Sequence, residues 1–154
     1  MIKTDDNFEL FWNEVLIPNL SSKYNTAPVH SLEEIKDLAS KFPNRIRQVN
    51  VYQDNIIVAG TTVFLTDQVV HPQYVSAKAN KNELGSLDLL YDFIIQEFKE
   101  NRNYFSFNTS SVENGELLNE GLLFWKESCG ARPHVFNNYE IETASYKTLE
   151  FKTI

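Results

Sequence analysis

The side chains best suited to chemistry in this chain are few. The stretch 119–132, Asn-Glu-Gly-Leu-Leu-Phe-Trp-Lys-Glu-Ser-Cys-Gly-Ala-Arg, carries Lys126 and the sole cysteine, Cys129. On a helix turning about 100° per residue, Asn119 and Lys126 share a face beside an apolar stripe of Leu118, Gly121, Leu122 and Trp125. Glycine inside a helix costs roughly 1 kcal/mol against alanine, so Gly121 calls for a reason such as close approach of a backbone or a ligand. Gly130 is placed to end the helix in a left-handed conformation. A buried lysine is a fixed cation, whereas a solvated one is only surface. Cys129 reads as a small buried residue, with Lys126 alone near enough to make it reactive. Three histidines, His30, His71 and His134, are scattered without paired spacing, which argues against a metal site.

Other elements must hold these groups in place. Phe8, Phe11, Trp12, Val15 and Leu16 recur at helical spacing, and Pro18 is expected to close that helix. Ser31-Leu32-Glu33-Glu34 is a capping box ahead of Leu32, Ile35, Leu38, Ala39 and Phe42, with Pro43 as the stop. The period then changes. Residues 46–53 and 56–66 read as a hairpin around Asp54-Asn55, and Asp67-Gln68 turns the chain into a third strand over 69–77. Pro72 interrupts that strand, so its pairing there should be bulged or broken. By alternation, His71, Gln73, Val75 and Ala77 face one way, and Val70, Tyr74 and Ser76 the other. A polar loop precedes a helix with Ser86 as N-cap and an apolar face of Leu87, Leu90, Tyr91, Ile94, Ile95 and Phe98. A short strand over 104–108, a polar loop to Gly115, the 119–132 helix and two strands near 134–142 and 146–151 complete the order. This is an α+β arrangement: one mixed, mostly antiparallel central sheet flanked by helices.

The totals narrow the function classes. With 154 residues the chain is expected to form one domain, 1–154. Eleven Phe and seven Tyr make it globular rather than disordered. No apolar run reaches the ~18 residues of a membrane span. A single cysteine and an acidic start without a signal-like stretch point to a reducing cytoplasm. The net charge of −7, with scattered Lys and Arg, disfavours nucleic acid as a partner.

Six segments in order carry a family resemblance. They are Pro28-Val29-His30-Ser31, Ile57-Val58-Ala59-Gly60, His71-Pro72-Gln73-Tyr74, Leu87-Asp88-Leu89-Leu90, Tyr104-Phe105-Ser106-Phe107, and Leu118-Asn119-Glu120-Gly121-Leu122 followed by Lys126-Glu127 and Gly130. Together with the element order, they resemble the GNAT (acyl-CoA N-acyltransferase) superfamily in its FemAB-like, BioF2-like branch. The resemblance covers about residues 12–142 and implies a three-layer sandwich. It implies transfer of an acyl group from acetyl-CoA or another acyl-CoA to an amine or hydroxyl, on a small metabolite or a cell-envelope precursor, with no metal. Fem proteins resemble two such lobes in tandem. This chain matches the C-terminal one, either free-standing, with a homodimer as one arrangement, or as part of a longer two-lobe protein.

The resemblance also implies roles. One GNAT strand splays from its neighbour and binds the pantetheine amides, which corresponds to Val75, Ser76 and Ala77. The pyrophosphate loop, usually Gln/Arg-x-x-Gly-x-Gly/Ala, corresponds to Asn82-Glu83-Leu84-Gly85-Ser86-Leu87. It keeps Gly85 and Ser86 at a helix N-terminus but loses the basic lead and the last small residue. His71, Gln73 and Tyr74 fall where acceptor and thioester carbonyl are expected. His71, with an unperturbed pKa of about 6.5, is the candidate base, and a histidine merely bonded within the sheet is the alternative. Lys126 matches the lysine of a Lys-x-x-(Phe)-Gly segment that stabilises the developing oxyanion, with Cys129 in place of Phe. Asn119 and Glu120 are candidates for the acceptor site or for capping. Phe124 and Trp125 stand where many GNAT enzymes place an acid tyrosine, so that acid is missing or comes from elsewhere, with Tyr139 and Tyr74 as candidates. Two further readings stay open: a Fem-type transferase using aminoacyl-tRNA, and a non-catalytic lobe serving dimerisation or acceptor binding.

Overall fold

The computed structural model describes residues 1–79, 84–140 and 143–144. The chain divides into two compact units, Met1–Thr109 and Ser110–Ile154.

The first unit is built on a five-stranded sheet in the order β1-β2-β3-β4-β5. Its strands are β1 (Ile2–Thr4), β2 (Ile46–Gln53), β3 (Ile56–Leu65), β4 (Val69–Ala77) and β5 (Tyr104–Phe105). The first four pair antiparallel, and β5 runs parallel to β4. Asp54 and Asn55 both have positive φ, 49° and 65°, which is the type I′ geometry that matches strand twist. β1 was not foreseen, since three residues are too few to show a period.

Helices cover both faces. On one side lie α1 (Phe8–Phe11), a π-helical turn (Trp12–Leu16), α2 (Ile17–Tyr24) and α3 (Leu32–Lys41). Their Phe8, Phe11, Trp12, Val15, Leu16 and Ile35 form a core with Ile46, Ile57 and Tyr74 of the sheet. On the other side α4 (Ser86–Phe98) buries Leu90 and Ile94 against Val49, Val51, Val63, Val70 and Ala77. Each such side chain taken out of water contributes about 1.5–3 kcal/mol. The result is the expected three-layer α+β sandwich.

Three expectations change in this unit. Pro18 does not close the first helix. Ile17 N–H bonds Trp12 O five residues back, and α2 continues with Pro18 in its first turn. The wider π turn lets a residue without an N–H, whose ring would crowd the carbonyl four back in an α-helix, sit inside a continuous helix. The N-cap of α4 is Gly85 rather than Ser86, with φ of 57°. On β4, Pro72 pairs with Val63 while Tyr74 pairs with Thr62, so Gln73 is an extra, bulged residue. The bulge resets side-chain parity. Val70 packs in the α4 core and Tyr74 in the α1–α3 core, not on one face as simple alternation implies.

The second unit holds a small hairpin, β6 (Ser111–Val112) and β7 (Leu117–Leu118), around a 3-10 turn at Glu113–Gly115, then α5 (Glu120–Ser128). The sequence reading had a plain loop before α5. Residues 131–140 form no strand, and the rest of the two closing strands, 141–142 and 146–151, lies outside the described residues. The helix end is as expected. Gly130 has φ of 89°, its N–H bonds Glu127 O, and Ala131 N–H bonds Lys126 O, a complete Schellman motif. Cys129 is exposed, not buried, because it is the C-cap of α5. Gly121 meets no close neighbour: an added Cβ would find only Asn119 Oδ1 at 3.8 Å. It lies in the first turn of α5, where few intrahelical bonds depend on it.

Candidate functional site

The bulge at Gln73 and the loss of β5 pairing occur on the same few residues of β4. Tyr104 N–H donates to Gln68 O (3.0 Å) and Ser106 N–H to Val70 O (2.9 Å). Beyond that point the contact passes to a side chain, with Asn108 Nδ2 donating to Pro72 O at 2.8 Å. Among the described residues, β5 pairs with β4 only at Val69 and Val70. Lys78 N–H donates to Val58 O, so residues in its phase direct their peptides toward β3. Val75 and Ala77, in the alternate phase, direct theirs to the edge that β5 has left. A strand edge with free peptide groups can take an extended, amide-bearing ligand.

The side chains of this stretch are already organised. His71 Nε2 and Gln73 Oε1 lie 2.9 Å apart. The amide oxygen only accepts, so Nε2 carries the hydrogen and Nδ1 holds the lone pair. Any proton uptake by His71 is therefore at Nδ1. Ser76 is buried, and its hydroxyl accepts from Asn19 Nδ2 on α2 at 2.8 Å. Tyr74 is buried edge-on to Trp12, ring centroids 5.0 Å apart. Its hydroxyl meets His30 twice, through Nδ1 at 2.6 Å and the backbone N–H at 3.2 Å. His30 lies 44 residues away in the loop before α3. In the sequence it is one of three scattered histidines, and no spacing signals such a contact. Its one local sign is the capping box that follows: Ser31 N–H on Glu34 Oε2 and Glu34 N–H on Ser31 Oγ, which anchor the loop.

Gly85 and Ser86 open α4. Gly85 is glycine for its left-handed φ rather than for crowding, since an added Cβ would meet only Asp88 Oδ2 at 3.9 Å. The Ser86 hydroxyl is buried without a hydrogen-bond partner, an uncommon state for a polar atom at a helix N-terminus. An unsatisfied donor there suits an anionic oxygen. Asn82 and Glu83 of the same segment lie outside the described residues.

The remaining candidates belong to the second unit. Asn119 is the N-cap of α5, its Oδ1 accepting from Leu122 N–H at 2.9 Å, so its side chain holds the helix. Glu120 is exposed in the first turn. Lys126 is 6% exposed, and burial lowers its pKa below the ordinary 10.5. Tyr139 is 84% exposed. Among the described residues no three His, Cys, Asp or Glu side chains gather as a metal site, and no helix is long and apolar enough to cross a membrane.

Neither a protein-family model nor a curated protein sequence matches this chain. Solved structures do match over nearly its full length. An aminoglycoside acetyltransferase from an uncultured soil metagenomic sample superposes with TM-score 0.62 at 15% identity, covering 93% of this chain and 95% of its own. Glucosamine-6-phosphate N-acetyltransferase from Arabidopsis thaliana gives 0.62 at 12% identity, covering 92% and 97%. Ribosomal-protein-alanine N-acetyltransferase from Brucella melitensis biovar Abortus 2308 gives 0.60 at 10%, covering 92% and 96%. The fold is that of the GNAT acetyltransferases. At these identities the likeness is one of fold. Both core clusters hold the sheet, one from either face.

Proposed function

We propose that this GNAT-fold chain is an N-acyltransferase that moves an acyl group from acyl-CoA to an amine or hydroxyl of a small metabolite or cell-envelope precursor. The observation that carries the reading is the parting of β5 from β4 after Val70, next to the bulge, which turns the Val75 and Ala77 peptides to the side where, among the described residues, β5 no longer pairs. In this reading those peptides hold the pantetheine amides. Ser86 Oγ and the N-terminus of α4 take the pyrophosphate, which the partnerless buried hydroxyl supports. The thioester supplies the activated acyl group. His71 Nδ1 and the Tyr74 hydroxyl are the groups on β4 able to move a proton. The resemblance to the FemAB-like branch supports an acceptor within that branch's range.

The test is calorimetric titration with acetyl-CoA, followed by thiol release in the presence of a panel of primary amines. Binding with heat, a raised melting temperature and amine-dependent thiol release are expected. Neither heat nor thermal shift at millimolar acetyl-CoA would overturn the reading. A second reading, a lobe that binds without transferring, is favoured by one observation: Asn119 is occupied in capping α5 rather than presented to an acceptor. Binding of acetyl-CoA without thiol release for any amine would select it.

A further inference from the structure

Tyr74 and His30 stand apart from the groups a GNAT fold needs simply to hold its co-substrate. The phenol oxygen accepts from the His30 backbone N–H, which is an obligatory donor (3.2 Å), and lies 2.6 Å from Nδ1. A buried phenol must also place its own hydrogen. One arrangement satisfies both the phenol and Nδ1: Tyr74 O–H donates to the Nδ1 lone pair, and the His30 hydrogen is on Nε2. The phenol then keeps one oxygen lone pair for an incoming donor, and its proton already points at a base. The loop that carries His30 is anchored on its far side by the Ser31–Glu34 box. Glu34 lies close enough that a charged His30 helps lower its carboxyl pKa, after the larger effects of the Ser31 N–H and hydroxyl.

We propose that Tyr74 and His30 form a proton-accepting couple for the acceptor amine, an assignment that rests on the acyl-transfer reading. As the amine nitrogen bonds to the acyl carbon and the carbon–sulfur bond breaks, the N–H proton passes to Tyr74 O. The phenol proton passes in the same motion to His30 Nδ1. The imidazolium charge matches that of the leaving thiolate, and return of the proton through the phenol to the thiolate restores both. Tyr74 is the catalytic residue. His30 acts only through it, as a positioning residue that takes the phenol's proton.

The experiment compares Tyr74→Phe, His30→Ala, His30→Asn and the Tyr74→Phe/His30→Ala double variant. Each is measured for melting temperature, acetyl-CoA affinity, and kcat and KM with a primary amine. Imidazole nitrogen NMR of wild type and Tyr74→Phe adds a readout independent of turnover. The expected result is a fall of about 100-fold in kcat for each single variant, with acetyl-CoA affinity unchanged. The double variant should be no slower than either single one, because the two act as a unit. Asn carries an oxygen near the Nδ1 position and can accept the phenol hydrogen but not keep a proton, so His30→Asn should be as slow as His30→Ala. NMR should show His30 protonated at Nε2 only, and altered when the phenol is lost. Restoration by His30→Asn, wild-type kcat in His30→Ala, or independent multiplication in the double variant would overturn the couple while leaving acyl transfer intact. Failure of wild type to bind acetyl-CoA would overturn the parent reading, and the couple with it. Should Tyr74→Phe fail to fold, the His30 series decides alone, since that residue is in a loop.

Discussion

At the scale of single residues, two buried or half-buried groups fix how stability should respond to alkali. Tyr52 donates to Asp5 Oδ2 at 2.5 Å, and desolvation first, then that carboxylate, raises its pKa to about 12. The folded state therefore holds the phenol proton more tightly than the unfolded chain. That contribution is complete below pH 10 and is lost as pH climbs through about 12. Lys126 works in the opposite direction. Its lowered pKa means the unfolded chain binds the proton more readily, so stability rises with pH up to 10.5. The two contributions thus change in opposite senses across this range. Tyr52→Phe should soften the fall on the alkaline side, and Lys126→Met should remove part of the rise. Melting curves across pH 8 to 12, with tyrosinate absorbance followed in parallel, check both signs; a steady decline through that range in wild type, unchanged by either variant, would contradict them.

At the scale of elements, the close approach in this fold is at Gly60, not at the helical Gly121. A Cβ on Gly60 would lie 2.6 Å from the Phe11 ring and 2.7 Å from Asn50 Oδ1. Phe11 is fully buried, and the Asn50 amide group is tied to Gln48, Asp5 and Asn7 O. Neither can move aside cheaply, so Gly60→Ala should cost about 1–3 kcal/mol in denaturant unfolding. Gly121→Ala should cost nothing measurable. The contrast shows what the sequence could and could not say. Strands β2 to β4, the Asp54-Asn55 turn, the α3 capping box and the Gly130 stop were legible because each is written locally, in a period or a turn residue. So was the irregularity at Pro72. Its consequence was not, because parity after a bulge depends on which residue is extra. His30 was illegible for a related reason: its partner is chosen by the fold of α2 and α3 against β4, and nothing near it in the chain names Tyr74. Pro18 was misread because the rule that proline ends helices assumes α-helical spacing, which Trp12–Leu16 does not keep.

At the scale of the whole molecule, apolar burial is uneven between the two units. Both core clusters lie within Met1–Thr109. In the second unit Val112, Leu117, Leu118, Phe124, Val135 and Phe136 are all exposed. A chain ending at Thr109 should therefore fold cooperatively by itself, whereas Ser110–Ile154 alone should not. Circular dichroism and thermal melts of the two fragments test this, and a featureless melt of the first would contradict it. The π turn, finally, makes the chain's length a structural quantity there. Removing one residue from Trp12–Leu16 would return the turn to α-helical spacing and leave α1 and α2 nearly in their present rotational relation, because the wider turn already absorbs the extra residue. Phe8 and Phe11 would stay on the core, whereas the same deletion from an α-helical turn would rotate them by about 100°. The exposed Asn13 and Glu14 are thus positions where a single deletion is mild, whereas substitution of the buried Trp12, Val15 or Leu16 is severe.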